Sequence, residues 1–418
     1  MTEAPARWDE EADVVVIGYG FAGATAAITA HDAGAKVLLL EKAPEKHKGG
    51  NSRVSANLVF WPDDIEKAKA YFRAMAGPYM DNIPEEMVQA WAAEMFANRA
   101  WLETLGMKTA EIPYIEFPEF DGSDCVRVLM NGEGPMGGER LWHLIEPAVA
   151  ARPIRVMYET PAVSLVKVGG EIVGVVAENR GKRIAIKVNR AVVLTCGGFE
   201  NNPTMIRTYV DGLPHIYPNG TPYNTGDGIR MGIEVGAELW HMNNISGPLM
   251  SFKAPEVSVA QWLNLPHGKS YIFVASDGTR FTMEGDPCFT GDLHGKVKRH
   301  GAWMQQALPV PIHMVFDETY RKSGHIGKAT ADWDVIHGNH YDWSNDNLQE
   351  VEKGWIKKAD TLRELAALIN IPPDALETTV ARFNTFATEG KDADWDREAK
   401  TMAELKMPPF YAMELTPA

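Results

Sequence analysis

Gly18, Gly20 and Gly23 form the pattern Gly-x-Gly-x-x-Gly, and Glu41 follows 18 residues after the last of them. Glycines at this spacing permit a tight turn and let the backbone come close to a pyrophosphate. A helix opening at that turn aims its N-terminal amides and its dipole at the same charge. An acidic side chain about 20 residues further on is placed to accept hydrogen bonds from an adenosine ribose. These residues suit the gripping of a dinucleotide, not bond-making of their own. The competing reading is a plain glycine-rich turn between a strand and a helix.

The elements that must position them can be read around them. Asp13-Val14-Val15-Val16-Ile17 is an apolar β-branched run, the pattern of a buried parallel strand. Ala22, Gly23, Ala26 and Ala27 keep the following helix thin where it crosses the sheet, and Gly34 sits where a left-handed C-cap is expected. Lys36 to Leu40 supplies a second strand that ends at Glu41-Lys42. The loop over 43–60 then carries Gly49-Gly50-Asn51-Ser52 and Ala56. Its glycines and short polar side chains suit a segment running past phosphates and a ring system; a solvated turn is the alternative.

Residues 63–106 read as helices, with Pro84-Glu85-Glu86 as a start signal and Met87, Trp91, Met95, Leu102 and Leu105 as a core-packing stripe. A helix is expected from Glu139 to about Ala151. Residues 154–189 read as β: Ile154–Tyr158, then a meander of Ala162–Val168, Glu171–Ala177 and Ile184–Val188 with turns at Gly169-Gly170 and Asn179-Arg180-Gly181. Ala191 to Phe199 is a further buried strand ending in Gly197-Gly198, and such strand ends line the ligand crevice of parallel sheets. Asp227 precedes a helix over Ile229–Gly236, where it reads either as an N-cap or as a hydrogen-bond acceptor for a bound dinucleotide. Residues 240–355 lose periodicity and are rich in Trp, His, Pro and Gly. Helices return over 361–388, opened by a capping-box pattern at Thr361-Leu362-Arg363-Glu364 and by Pro372-Pro373-Asp374.

The chain has 418 residues, more than one hydrophobic core ordinarily serves. A formal net charge of −15 argues against nucleic acid or an anionic membrane as partner. Met1 to Glu11 lacks the basic and apolar regions of a signal peptide, and no apolar run approaches ~20 residues, so a cytoplasmic location without a membrane span is expected. Cys125, Cys196 and Cys288 lie far apart with no metal-ligand spacing, and read as incidental thiols.

Taken together, the motifs resemble the fumarate reductase/succinate dehydrogenase flavoprotein family, which includes 3-ketosteroid dehydrogenases, urocanate reductase and tricarballylate dehydrogenase. The resemblance is carried by Gly18-Tyr19-Gly20-Phe21-Ala22-Gly23, Glu41-Lys42, Gly49-Gly50-Asn51-Ser52, Thr195-Cys196-Gly197-Gly198-Phe199, Thr225-Gly226-Asp227-Gly228, Asp277-Gly278-Thr279-Arg280-Phe281 with Glu284, and Pro409-Phe410-Tyr411-Ala412. It implies an α/β fold: a Rossmann-like FAD-binding domain with an antiparallel β meander over 1–238, an inserted α+β cap (substrate) domain over 239–356, and a helical return towards the first domain over 357–418.

By this resemblance Ala22 and Glu41 hold the ADP half of FAD, with Gly18, Gly20, Gly23 and Lys42 around them. Gly49, Gly50, Asn51, Ser52 and Ala56 pass the pyrophosphate and flavin edge, Val163 meets adenine through its backbone, and Gly197 and Asp227 close the site. Family members with covalent FAD carry a histidine in the loop after the acidic residue. His47 precedes Gly49-Gly50 instead of occupying that place, so non-covalent FAD is expected. The implied reaction is hydride transfer between a substrate CH–CH or C=C unit and flavin N5, on a small carboxylate or ketone, with a separate electron donor or acceptor.

Departures from the family narrow the reading. His241 to Pro248 lacks the histidine-proline-threonine stretch of true fumarate reductases, and Cys288 stands where they carry a catalytic arginine, which argues against fumarate or succinate. The loop and the Glu284-Gly285-Asp286 run look nearer the tricarballylate dehydrogenase branch, without that group's extra arginines. Candidate acid/base groups in the cap are Arg280, His294 and Tyr271, with Arg299 and His300 beside them; Arg280 also reads as a structural partner of Glu284, and His294 and His300 as part of a solvated basic run. Family members continue past the Pro-Phe-Tyr-Ala element with a segment that completes the FAD domain, so the chain is expected to lack it. A degenerate flavoprotein fragment and an NAD-dependent dehydrogenase are the alternatives.

Overall fold

The computed structural model describes residues 5–418 except 56, 113–116, 133–138, 211, 214–215, 244–249, 264–267, 285–295, 300–301, 306–307 and 329–332. The chain divides into two compact units, Met1–Gly197 and Gly198–Ala418.

In the first unit, strand β1 (Glu10–Ile17), helix α1 (Phe21–Asp32) and strand β2 (Val37–Leu40) form the expected β-α-β unit. The sheet has six strands in the order Arg155–Met157, β2, β1, Lys182–Leu194, Glu171–Asn179, Ala162–Val168. The first four run parallel and the last three form the antiparallel meander. Val14, Val16, Val37 and Leu39 bury one face against Ala24, Ala27 and Ile28 of α1 and against Trp142, Ile145 and Val149 of the Trp142–Ala150 helix. Each fully buried Val, Leu or Ile contributes roughly 1.5–3 kcal/mol, so this face fixes how α1 crosses the sheet.

One strand corrects the sequence reading. Residues 184–188 and 191–199 were separable in sequence, yet Lys182–Leu194 is one continuous strand. Lys182–Lys187 pairs with the meander and Ile186–Leu194 with β1, absorbing Asn189-Arg190 as a register shift opposite Ala12 and Val14. Pairing with β1 before and after the polar interruption carries the strand through it. The expected stripe on the helix Glu85–Thr104 holds in part: Leu102 is buried and Trp91 and Leu105 pack partly buried, while Met87 is exposed and Val88 and Ala92 are buried in its place.

The second unit holds a seven-stranded sheet. Its path runs Tyr271–Val274, Ile312–Asp317, Phe410–Pro417, Met250–Phe252, Gln261–Leu263 and Gly327–Lys328, with Ile356–Ala359 also paired to Phe410–Pro417. The helices Leu362–Leu368 and Pro373–Glu389 cover part of one face, burying Leu365, Leu376, Val380 and Phe383 against Ile272, Val274, Val315 and Ala412. Residues 357–418 therefore supply a central strand and two helices to this unit. The Thr361 capping box forms as read, with the Thr361 side chain bonded to the Glu364 amide and the Glu364 side chain returned to Thr361. Among the described residues no helix is long and apolar enough to cross a membrane.

Candidate functional site

The turn between β1 and α1 is held by backbone constraints that only glycine meets. Gly18 has φ of +108°, and a Cβ there would lie 2.3 Å from the Thr195 carbonyl oxygen. A Cβ on Gly23 would lie 1.9 Å from the Gly18 carbonyl oxygen. Two of the three glycines thus let the chain pack on itself, and Thr195 locks the arrangement by donating from Oγ1 to the carbonyls of Ile17 and Gly18 at 2.9 and 3.0 Å. Gly20 is the N-cap of α1, with extended backbone and no side-chain cap. The first turn of α1 carries no acidic residue, so its dipole is not neutralised from within.

The following loop docks on this turn. Gly49 donates its amide to the Tyr19 carbonyl at 2.9 Å, and the Phe21 amide donates to Ser52 Oγ at 2.9 Å. Gly49 and Gly50 are left-handed, and Asn51 and Ser52 follow in a short 3₁₀ turn. Arg53 pins the loop through Glu139, its Nε lying 2.7 Å from Oε1. Lys48 adds an ion pair to Glu146 at 2.7 Å. His47 sits in the Glu45–His47 turn, and burial lowers its ring below the ordinary value.

Glu41 lies just past the end of β2 and is 8% exposed. Its carboxylate accepts from the Tyr19 amide at 2.8 Å and from the Ala43 amide at 2.7 Å, one on each oxygen. Burial raises its pKa above the ordinary 4.5, and these amides offset part of that rise. A carboxylate offers about four acceptor positions. The Lys42 backbone also bonds to this carboxylate, and the remaining acceptor capacity can take a ribose hydroxyl. An open helix N-terminus beside a glycine turn, and a carboxylate fixed by backbone with acceptor positions to spare, fit the ADP half of FAD. Lys42 adjoins Glu41, and Ala22 and Gly23 lie in the first turn of α1. Val163 sits at a register shift in the Ala162–Val168 strand, and Gly197, also left-handed, closes the first unit. Ala56 lies outside the described residues.

Asp227 belongs to the second unit, in the first turn of the helix Asp227–Glu234. Gly226, not Asp227, is the N-cap, which corrects one of the two readings of Asp227. Its carboxylate accepts from Thr225 Oγ1 at 3.2 Å. Asn202, Thr225, Asp227 and Arg230 are among the residues lining a cleft of about 540 Å³.

Arg280 and Tyr271 meet on Glu284. Arg280 is buried and makes a two-pronged pair with Glu284, Nε to Oε1 at 2.8 Å and Nη2 to Oε2 at 2.6 Å, and a second with Asp392 at 3.2 and 2.7 Å. Burial opposes its charge, but the two carboxylates outweigh that and hold the guanidinium protonated. Tyr271 donates its hydroxyl to the Glu284 carbonyl and lies under the Arg397 guanidinium at 4.3 Å. Arg397 donates to the carbonyls of Tyr271 and Thr401 at 2.8 and 2.6 Å. Asp392 and Arg397 were missed in sequence because Asp392 lies 112 residues from Arg280 and Arg397 lies 126 residues from Tyr271, with no local pattern to link them. Arg299 is in a two-stranded pair with Ala302–Gln305, and Cys288, His294 and His300 lie outside the described residues.

With the geometry in place, comparison with known proteins gives a consistent result. The model of the FAD binding domain family matches residues 13–418. The chain is 24% identical to vinyl phenol reductase of Lactiplantibacillus plantarum, across 96% of this chain and 82% of that protein. It is 26% identical to fumarate reductase (cytochrome) of Shewanella frigidimarina, across 97% of this chain and 66% of that protein, just under two thirds of its length. In fold it resembles the crystal structure of 3-ketosteroid delta1-dehydrogenase from Sterolibacterium denitrificans, with a TM-score of 0.74, 21% identity, and coverage of 97% of this chain and 87% of that one. The chain belongs to the FAD binding domain family, within the fumarate reductase/succinate dehydrogenase flavoproteins whose motifs it carries.

Proposed function

We propose that this protein is an FAD-dependent oxidoreductase that moves a hydride between flavin N5 and one carbon of a substrate CH–CH or C=C unit, while a proton moves at the adjacent carbon. The observation that carries the reading is Glu41, buried at the end of β2 and fixed by the Tyr19 and Ala43 amides with acceptor positions left over. The family match over residues 13–418 supports it. FAD supplies the two-electron acceptor or donor when bound. The chain's own residues bind and orient: α1 offers amides to the pyrophosphate, Glu41 accepts from the ribose, and the Gly49–Ser52 loop braces the turn.

The first unit serves as the FAD-binding part, and the second carries the substrate-recognising residues. The bond acted on is activated by a neighbouring carbonyl or comparable electron-withdrawing group. A relative named as a fumarate reductase and a fold neighbour named as a 3-ketosteroid dehydrogenase support that choice. Two electrons left behind by one substrate must be taken up by a second redox partner, so each turnover needs a separate donor or acceptor. Arg280 is better suited to positioning Glu284 than to donating a proton, since both carboxylates grip it. FAD is held without a covalent bond, because His47 lies in a turn ahead of Gly49-Gly50.

Purified protein tests this directly. It should be yellow, release its flavin to the supernatant on acid precipitation, and bleach anaerobically with a reduced substrate of the right class. A colourless preparation that reduces NAD with a hydroxy acid overturns the reading.

A further inference from the structure

The loop that docks on the β1–α1 turn is tied into one piece by Arg53. The stem of Arg53 lies across Gly49, where a Cβ would sit 2.4 Å from Arg53 Cγ and Cδ and 3.1 Å from the Trp142 ring. The guanidinium then donates from Nη1 back to the carbonyls of Lys46 and Lys48, at 3.1 and 3.2 Å. One rigid fork of donors thus joins the incoming arm of the loop to the outgoing one. Between the arms, Gly49 and Gly50 are left-handed, and a Cβ on Gly50 would meet nothing within 4 Å. Gly50 is therefore required by backbone conformation alone, as a hinge requires.

Two ion pairs fasten this piece to one helical segment. Arg53 Nε and Nη2 reach Glu139 Oε1 at 2.7 and 2.5 Å, and Lys48 Nζ reaches Glu146 Oε1 at 2.7 Å. The His143 amide donates to the Glu139 carbonyl, so Glu139 and Glu146 stand two helical turns apart on the same face. These four side chains line a cleft of about 500 Å³ and are between 15% and 30% exposed. Ion pairs reached by water in this way are weakened by dissolved salt. On its other side the piece stands on the N-terminus of α1. Ser52 Oγ accepts from the Phe21 amide and the Gly49 amide donates to the Tyr19 carbonyl, both at 2.9 Å. Those two bonds are neutral, and charge-assisted bonds are roughly twice as strong, so the outer pairs dominate what holds the loop down.

We propose that residues 45–53 form a hinged strap, and that the Arg53–Glu139 and Lys48–Glu146 pairs set how often it opens to let FAD in and out. The inference rests on the proposed function, which puts the pyrophosphate at the α1 amides where the strap stands. Both pairs join protein to protein, so weakening them raises the open fraction with and without FAD alike. Entry and release then quicken together, and Kd hardly changes.

Stopped-flow fluorescence measures both rates, by quenching when FAD meets protein freed of flavin and by recovery when loaded protein is diluted. Wild type, Glu139→Gln, Glu146→Gln and the double variant are compared at low and high salt, each with its melting temperature. Each single change should speed entry and release about threefold, and the double change about tenfold. Salt should speed both rates in wild type and much less in the double variant. Removing an acid near an anionic ligand would by charge alone slow its release, so the direction separates a strap from a field effect. Lys48→Gln breaks the second pair from the loop side and should reproduce Glu146→Gln, although it changes the local charge the opposite way. Faster release without faster entry would make the loop a static brace and overturn the proposal. Unchanged or slower release, or opposite effects of Lys48→Gln and Glu146→Gln, would overturn it as well. Protein that binds FAD and fails these tests overturns the strap alone, whereas protein that binds no FAD overturns the proposed function and the strap with it.

Discussion

Glu41 binds ribose hydroxyls only as a carboxylate, yet burial favours its protonated form. In the free protein its folded pKa lies above the unfolded 4.5, so its contribution to stability is greatest at low pH and declines as pH rises through the raised value. Dinucleotide affinity runs the other way: it should fall as pH drops through that same raised value, at a pH where an ordinary glutamate would still be ionised. Fluorescence titration of FAD across pH checks this, and Glu41→Gln should flatten the profile. Glu41→Ala should weaken FAD binding by about 1–3 kcal/mol, the cost of leaving the ribose hydroxyls unpaired; unchanged flavin retention would contradict the ribose role. Gly18→Ala is a different kind of lesion. Its Cβ would meet the Thr195 carbonyl at 2.3 Å on a backbone at φ +108°, so overpacking and strain together should cost about 2–4 kcal/mol in denaturant unfolding even without FAD.

At the scale of elements, legibility followed locality. The β1–α1–β2 unit, the Glu41 end and the Thr361 cap were readable because each depends on residues a few positions apart. The Lys182–Leu194 strand was not, since its continuity comes from pairing with β1 on either side of Asn189-Arg190. The Arg280–Asp392 pairing was invisible for the same reason, although the Arg280–Glu284 half, four residues apart, could be read. Met87 was misjudged because the first turn of its helix turns Val88 inward instead, although Leu102 further along is buried as read. Two substitutions probe these levels. Thr361→Ala removes a local cap and should cost about 0.5–2 kcal/mol of stability without changing flavin content. Asp392→Ala should cost about 1–3 kcal/mol, because it removes charge-assisted hydrogen bonds from a buried guanidinium that keeps its pair with Glu284. Burial raises the Asp392 pKa, but Arg280 outweighs it and the net shift is downward, so this stability is full above the unfolded 3.8 and is lost as pH falls through the lowered value. Asp392→Asn, which keeps an acceptor for the Asp394 and Trp395 amides, separates the charge from the turn it caps.

At the scale of the whole molecule, the cofactor is a term in stability as well as in chemistry. A ligand that binds only the folded chain stabilises it by RT ln(1 + [L]/Kd), about 2.7 kcal/mol at a hundredfold excess over Kd. The cradle proposed for FAD uses strands and a helix that also form the core of the first unit, so flavin bound there should protect Val14, Val16, Val37 and Leu39 together with α1. Hydrogen exchange with and without added FAD should therefore show the largest gain in protection along β1, α1 and β2, and the melting temperature should rise with the logarithm of free FAD. In Glu41→Ala the same curve should shift to higher FAD concentration with its slope unchanged, since the lesion alters Kd and not the mode of binding. Protection elsewhere in the chain, with none in β1, α1 and β2, would place the dinucleotide away from Glu41. Equal stabilisation by NAD would argue that the ADP half is recognised and that nothing in the chain selects the flavin.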